Sequence, residues 1–383
     1  MARKRPDGDG LVRKRKDGRW EGRIVVGHKE DGSLIYRSVF DKSQKALMDK
    51  LHDCIETYRD VELSEDSNMT LGEWLDRWKD EYAAYAVRPN TLTGYEQLIE
   101  SYIKPRLGNE RISDITTADI QQMYNGIKKY GRVNEHPEKG TELADSMVRK
   151  VHMMLHQAMN VAVREHLIVK NPTEGTTVPK NNYAPKQILT EAQLDRFMEE
   201  LKKDPIWYDF FYTELTTGMR KGEICGLQWR DLDMKTGRLK ICRAVIAQKH
   251  QPCVVGETKT KAGNRTLVLP PSTLELLKAR KKVSYSQWIF PNPLRPEAPM
   301  TPSVPYRRLK ELLKQADLPS IRFHDLRHTF ATHALTSGVD AKTLAGILGH
   351  TNASFTLDTY THVTKDMQKQ AADVMGGFLG QIL

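Results

Sequence analysis

The chain has 383 residues, with 59 Lys and Arg against 49 Asp and Glu and a formal net charge of +10, which sets the pI near 9.2. That length suffices for two or three domains, each with its own core, and no apolar run nears the length a membrane-spanning helix needs. The positive surplus favours a polyanionic partner, although ribosome-associated and membrane-surface proteins share the property, so charge alone selects none of them. Four scattered cysteines, Cys54, Cys225, Cys242 and Cys253, show no metal-ligand spacing and suit a reducing cytoplasm. The N-terminal Met-Ala-Arg-Lys-Arg-Pro is basic but no hydrophobic segment follows it, so a secretory signal is not expected.

In residues 1 to about 60, Asp17-Gly18 and Asp31-Gly32 are hairpin-turn dipeptides separating Leu11–Arg15, Trp20–Val26 and Leu34–Phe40. Apolar and basic residues interleave there, which predicts three short strands. Ala46, Leu47, Leu51, Cys54, Ile55 and Tyr58 then fall at helical spacing and would cover one sheet face. The other face would carry some of Arg13, Arg15, Arg19, Arg23 and Arg37. Such a face is either a solvated basic surface or a sheet that enters a DNA major groove.

Ser64-Glu65-Asp66-Ser67-Asn68 is a polar linker, and an all-helical domain opens after it with the capping box Thr70-x-x-Glu73. Leu71, Trp74, Leu75, Trp78 and Tyr82 form its first apolar stripe. Asn90-Thr91 opens the next helix, with Leu92, Tyr95, Ile99, Tyr102 and Ile103 inside and Pro105 and Gly108 as the stop. Thr116-x-x-Asp119 caps a third, and a fourth runs from about Asp145 to Ile168 on a seam of Val148, Val151, Leu155, Ala158 and Ala162. Met147, Met153, Met154 and Met159 are core filler on this reading. Residues 175–186 are polar with Pro179 and Pro185, as befits an interdomain linker. Thr190-x-x-Gln193 then caps a third domain, in which helices alternate with a small antiparallel sheet. Arg238–Ile246, Cys253–Thr258 and Arg265–Pro270 are its strands, with residues 259–264 as a turn. After Pro270 the pattern is helical to the end, where residues 364–383 are weakly amphipathic.

The chemistry concentrates in this last domain. His324 and Arg327 are three apart and share a helix face, while Leu326 and Phe330 would anchor the opposite side. His350, and Tyr360 ten residues beyond it, would lie on short helical elements nearby. Thr217-Gly218-Met219-Arg220-Lys221-Gly222-Glu223 is a turn feeding a helix, and a guanidinium there can grip phosphate oxygens bidentately. Lys259 and Lys261 lie in the turn, either solvated or swung into a cleft. Of His324, His328 and His333 only the first two have the i,i+4 spacing of a metal pair, and the position between them that a metalloprotease gives to glutamate holds Asp325. No metal and no cofactor is expected.

Thr-Gly-x-Arg-x-Gly-Glu with Leu-x-Trp-x-Asp, a Thr-Lys-Thr-Lys turn, His-x-x-Arg, Leu-Gly-His and Asp-Thr-Tyr-Thr-His-Val occur in one order over about 145 residues. The set resembles the tyrosine recombinase (phage integrase) family, in particular integrases of conjugative transposons and temperate phages. The resemblance implies a multidomain α+β fold. Residues 1–63 would form an arm-type DNA-binding domain of three strands and a helix, residues 69–174 a helical SAM-like core-type DNA-binding domain, and residues 187–383 a mostly helical catalytic domain with a C-terminal tail. It implies that Arg220 and Arg327 clamp a scissile phosphate, that His324 supports proton transfer, that His350 hydrogen-bonds the phosphate and that Tyr360 is the nucleophile. Lys259 would be the general acid, because Lys259-Thr260-(x)₄-Arg265-Thr266-Leu267 aligns with the family's run; Lys261 competes for the role. Glu223 matches an acidic position of structural kind.

The implied partners are double-stranded DNA at core-type and arm-type sites and a homotetramer on that DNA, with an excisionase and a host DNA-bending protein often used by members. The implied location is the cytoplasm of a bacterial host, at the nucleoid, with no membrane partner. Two rivals are weighed. A type IB topoisomerase would use the same chemistry as a monomer, but the basic N-terminal sheet, the short His350-to-Tyr360 spacing and the C-terminal tail count against it. A non-catalytic DNA-binding regulator would have lost catalytic positions, and all are filled here.

Overall fold

The computed structural model describes residues 10–29, 31–59, 61–132, 140–180, 187–248, 251–258 and 261–350. The chain divides into two compact units, Met1–Tyr183 and Ala184–Leu383.

The first unit opens with an antiparallel sheet in the order β1 (Leu11–Lys14), β2 (Trp20–His28), β3 (Leu34–Asp41), as the hairpin dipeptides predict. Helix α1 (Gln44–Tyr58) lies across one face and buries Leu51 against Ile24, Val26 and Ile35. The pairing of Arg13 with Glu21 and of Arg23 with Ser38 sets Arg13 and Arg23 on the opposite face. Arg37 belongs to the helix side by the same alternation. Its guanidinium donates to Ser113 O at 2.9 Å and Ser113 Oγ at 3.1 Å and pairs with Asp114.

The helical part of this unit comprises α2 (Leu71–Trp78), α3 (Ala84–Ala86), α4 (Pro89–Leu98), α5 (Lys104–Leu107), α6 (Thr117–Tyr130) and α7 (Asp145–Arg164). Thr70 with Glu73 and Thr116 with Asp119 form reciprocal capping boxes, each satisfying two otherwise bare N–H groups. Trp74, Ile103, Ile120, Val151 and Leu155, all fully buried, centre its core, and each such side chain contributes roughly 1.5–3 kcal/mol.

Three local expectations fail here for identifiable reasons. Pro105 does not stop its helix, because a π-helical stretch, Ile99–Ile103, intervenes and places Pro105 in the opening turn of α5, where a proline is tolerated. Helix α7 ends at Arg164 and not near Ile168, because His166 takes a left-handed φ of 54° and Leu167 N–H donates back to Ala162 O at 2.9 Å. Met153 is not core filler: it is 58% exposed, whereas Met154 and Met159 are buried.

The second unit runs α8 (Glu191–Lys202), α9 (Pro205–Thr217), α10 (Lys221–Cys225), β4 (Arg238–Ile241), β5 (Arg243–Gln248), β6 (Gln251–Glu257), β7 (Arg265–Val268), α11 (Pro271–Lys282), β8 (Pro291–Asn292), β9 (Arg295–Pro299), α12 (Ser303–Gln315), α13 (Phe323–Thr336) and α14 (Ala341–Leu348). The predicted strand Arg238–Ile246 is broken at Cys242, and its halves pair separately, β4 with β7 and β5 with β6. The proline-rich β8–β9 hairpin lies where only helix was predicted, since its prolines suppress the strand pattern. Helix α9 is enclosed by α8, α11 and α13, and its own Phe210 and Phe211 pack against Phe197, Phe290 and Phe323.

Candidate active site

The site is built around the C-terminal end of α14. That helix stops at Gly349, whose φ is +65°, and a Cβ there would come within 2.8 Å of Ala262 O. Only glycine makes this turn. The last carbonyls of the helix then have no helical donor, and three arginines supply the missing hydrogen bonds. Arg265 Nε donates to Ile347 O at 2.6 Å, Arg327 Nη2 to Leu348 O at 2.6 Å and Arg220 Nη2 to Gly349 O at 2.8 Å. The negative end of the helix dipole favours the same arrangement.

A second glycine turn delivers Arg220. Helix α9 ends at Gly218 with φ +57°, where a Cβ would lie 2.3 Å from the Phe330 ring. Arg327 Nη1 donates to Gly218 O at 2.9 Å, so one guanidinium joins both turns. Glu223, on α10, accepts the Arg220 backbone N–H at 3.0 Å, Arg220 Nη1 at 2.8 Å and Arg265 Nη2 at 2.9 Å. Burial pushes the Glu223 carboxyl up, but Arg265 and then Arg220 outweigh it and hold the group below the usual range. It is an ionised anchor for two of the three arginines.

Arg327 is 1% exposed. Burial and repulsion from Arg220 push its guanidinium down to about 10, so it remains a cation at neutral pH. His324 precedes it by one turn on α13, its ring edge-to-face with His328 at 4.9 Å. Loss of hydration, then Arg327 and Arg220, push His324 down to about 4. The residue keeps an exposed rim, which moderates the burial contribution; repulsion from two guanidinia acts regardless. His350, just past the Gly349 turn, is pushed down to about 4 by burial, then by Arg327, Arg220, His324 and Arg265. Both imidazoles are neutral at pH 7.

Arg220, His324, Arg327 and His350 therefore form one constellation in this unit. Lys259 and Tyr360 lie outside the described residues, as do the C-terminal tail and the Lys261 side chain. Arg265 was missed as a site residue by sequence reasoning, although it stands in the Lys-Thr-(x)₄-Arg run that suggested Lys259. Glu214 on α9 was missed with no signal to find it. Among the described residues no cluster of three or more His, Cys, Asp or Glu could hold a metal, and no helix is long and apolar enough to cross a membrane. The arrangement is suited to holding a monoanionic tetrahedral group: two guanidinia and two neutral imidazoles at the end of a helix, backed by an ionised carboxylate.

Comparison with known proteins points the same way. Residues 187–367 match the phage integrase family, and residues 70–128 match the phage integrase N-terminal SAM-like domain. A tyrosine recombinase XerC-like protein of Caldanaerobacter subterraneus is 26% identical over 384 residues, covering 92% of this chain and 94% of that protein. The transposase from transposon Tn1545 of Streptococcus agalactiae is 27% identical over 405 residues, covering 96% and 95%. Among solved structures, the Tn1549 transposon integrase in complex with a circular intermediate DNA superposes with a TM-score of 0.66 at 24% identity, over 79% of this chain and 99% of that one. A lambda integrase dimer bound to a core site gives 0.60 at 20% identity, over 94% and 96%.

Proposed function

The chain belongs to the phage integrase family of tyrosine recombinases, and from that premise we propose how its own residues cut and rejoin DNA. It is a site-specific recombinase that works through a 3′-phosphotyrosyl intermediate and moves a mobile element in and out of a chromosome. Arg220 and Arg327 neutralise the non-bridging oxygens of the scissile phosphate, and His350 hydrogen-bonds it. Tyr360 Oη attacks phosphorus; the new P–O bond forms as the bond to the 5′-oxygen breaks. The tyrosine proton passes towards His324, and Lys259 protonates the leaving 5′-oxygen. A free tyrosine hydroxyl titrates near ~10, so it needs the cationic site and the proton acceptor to react near neutral pH. The phosphotyrosyl linkage conserves the phosphodiester, so attack by another 5′-hydroxyl rejoins the strand without ATP.

The observation that carries this reading is the convergence of Arg220 and Arg327 on adjacent carbonyls of α14 beside His350. Rotation of either guanidinium by one hydrogen bond would present a fork to phosphate oxygens without moving the backbone. Residues 69–174 would grip core-type sites and residues 1–63 arm-type sites. A second DNA-binding head lets one subunit bridge two sites, which suits integration and excision better than dimer resolution or inversion. Four subunits on two sites would exchange one pair of strands at a time through a Holliday junction, with an excisionase and a host DNA-bending protein as accessory partners.

The test is a nicked suicide duplex that carries the core site mapped by footprinting. The wild type should give an SDS-stable protein–DNA adduct, and Tyr360→Phe none. An adduct that persists in Tyr360→Phe, or its absence in the wild type, would overturn the reading.

A further inference from the structure

Glu214 is the residue the mechanism above leaves unused. It sits on α9 one turn before Gly218, whose N–H donates to its carbonyl at 2.8 Å. Its side chain is 0% exposed, and neither carboxyl oxygen has a hydrogen-bond partner. Buried acids are ordinarily paired, since an unpaired one sacrifices its hydration for nothing.

The cations within electrostatic reach are Arg327 on α13 and Arg265 on β7; the acids are Glu223 and the Cys225 thiol on α10. On α8 the packed residues are Phe197 and Leu201. On α11 they are Thr273, Leu277 and Arg280, the last engaged by Asp209. Both arginines in reach are committed elsewhere: Arg265 to Ile347 O, Gly263 O and Glu223, and Arg327 to Gly218 O and Leu348 O. The cluster of Arg220, Arg265 and Arg327 against Glu223 therefore carries a surplus of two positive charges. An ionised Glu214 would remove one of them, and so would a DNA phosphate.

We propose that Glu214 is an internal counter-anion for Arg327 that gives way to the DNA phosphate by taking up a proton, which makes it a positioning residue behind the clamp. Burial pushes the carboxyl well above its ordinary range, Arg327 draws it back and Glu223 raises it again. A phosphate beside Arg327 cancels the larger of the two attractions, Arg327 before Arg265, that favour the charged form. DNA engagement then draws a proton from solvent onto Glu214, and affinity falls as pH rises through the titration. His324 and His350 face Arg327 as well, but both are pushed down to about 4, which leaves Glu214 as the acid beside Arg327 whose titration burial raises.

The inference rests on the recombinase reading and is tested on the full-length protein with an intact core-site duplex. Calorimetry in buffers of different ionisation enthalpy should show proton uptake on binding by the wild type. Its affinity should fall by up to about tenfold per pH unit, the limit for one linked proton. Glu214→Gln keeps the shape without the charge and should show neither effect. Thermal melting checks that the variant is folded, and Glu214→Asp, whose carboxyl is one methylene shorter, should shift the window without abolishing uptake. Equal uptake and equal pH slopes in wild type and Glu214→Gln would overturn the proposal. A wild type that forms the covalent adduct but takes up no proton sinks this inference alone; one that forms no adduct sinks the recombinase reading itself.

Discussion

In the N-terminal sheet, Arg15 and Arg19 share the exposed carboxylate of Asp17 and lie over the Phe40 ring. In the second unit, Arg220, Arg265 and Arg327 donate to three successive carbonyls at the end of α14, and the buried carboxylate of Glu223 braces the first two. The first group is screened by water and can exchange one carboxylate for a phosphate at little cost. The second has surrendered most of its hydration during folding, so little water would have to be shed when a phosphate arrives. On the proposed function the same residue type would serve for tracking a backbone in one place and for chemistry on a single phosphate in the other.

The comparison breaks most visibly at Arg327. Arg327→Lys keeps the charge but cannot donate to Gly218 O and Leu348 O at once, so the two glycine turns lose their common strut. Covalent adduct formation on the suicide duplex should fall by about 10³-fold, the scale of a lost transition-state donor in a dry site, while non-covalent duplex affinity changes little. A loss below tenfold would mean that charge alone suffices and that the fork and its burial are incidental.

Glu223→Gln sharpens the same contrast from the other side. The carboxylate holds Arg220 and Arg265 together, and its side chain is only 3% exposed. Removing its charge leaves two guanidinia facing each other unneutralised, which should cost about 3 kcal/mol of stability and reduce cleavage by about a hundredfold. Chemical denaturation reads the first and adduct formation the second. Unchanged stability would mark Glu223 as dispensable to the cluster.

What could be read in advance follows the same division. The hairpins, the capping boxes and the apolar helix faces were legible because they depend on neighbours within a few residues: Asp17-Gly18, Thr70 with Glu73, Leu47 with Leu51. His324 and Arg327 were legible as a pair through helical spacing, and Arg220 through the turn it follows. The convergence of Ile347, Leu348 and Gly349 carbonyls on three guanidinia was not, because it joins residues up to 129 positions apart. Glu214 left no trace, since one acid on a helix gives the same signal whether it meets water or a buried arginine. Arg37 shows the converse: it is one of five arginines of which the sequence expects only some on the open face, and strand alternation turns it to the helix side, where it binds Ser113 and Asp114.

The smallest effect is expected at Arg19, and its smallness is informative. The side chain is 54% exposed, and its carboxylate partner Asp17 is 39% exposed. Arg19→Ala should leave the melting temperature unchanged, since water replaces the lost pair. If this face tracks arm-type DNA, each lost phosphate contact lowers affinity several-fold at moderate salt and reduces the slope of log affinity against log salt by about 1. Binding to an arm-site duplex across a salt series measures that slope, and core-site cleavage serves as the internal control. A slope identical to that of the wild type would place Arg19 off the DNA and leave its pairing with Asp17 as an ornament of the turn. A fall in core-site cleavage would show instead that the two arginine groups are not the independent devices their surroundings make them.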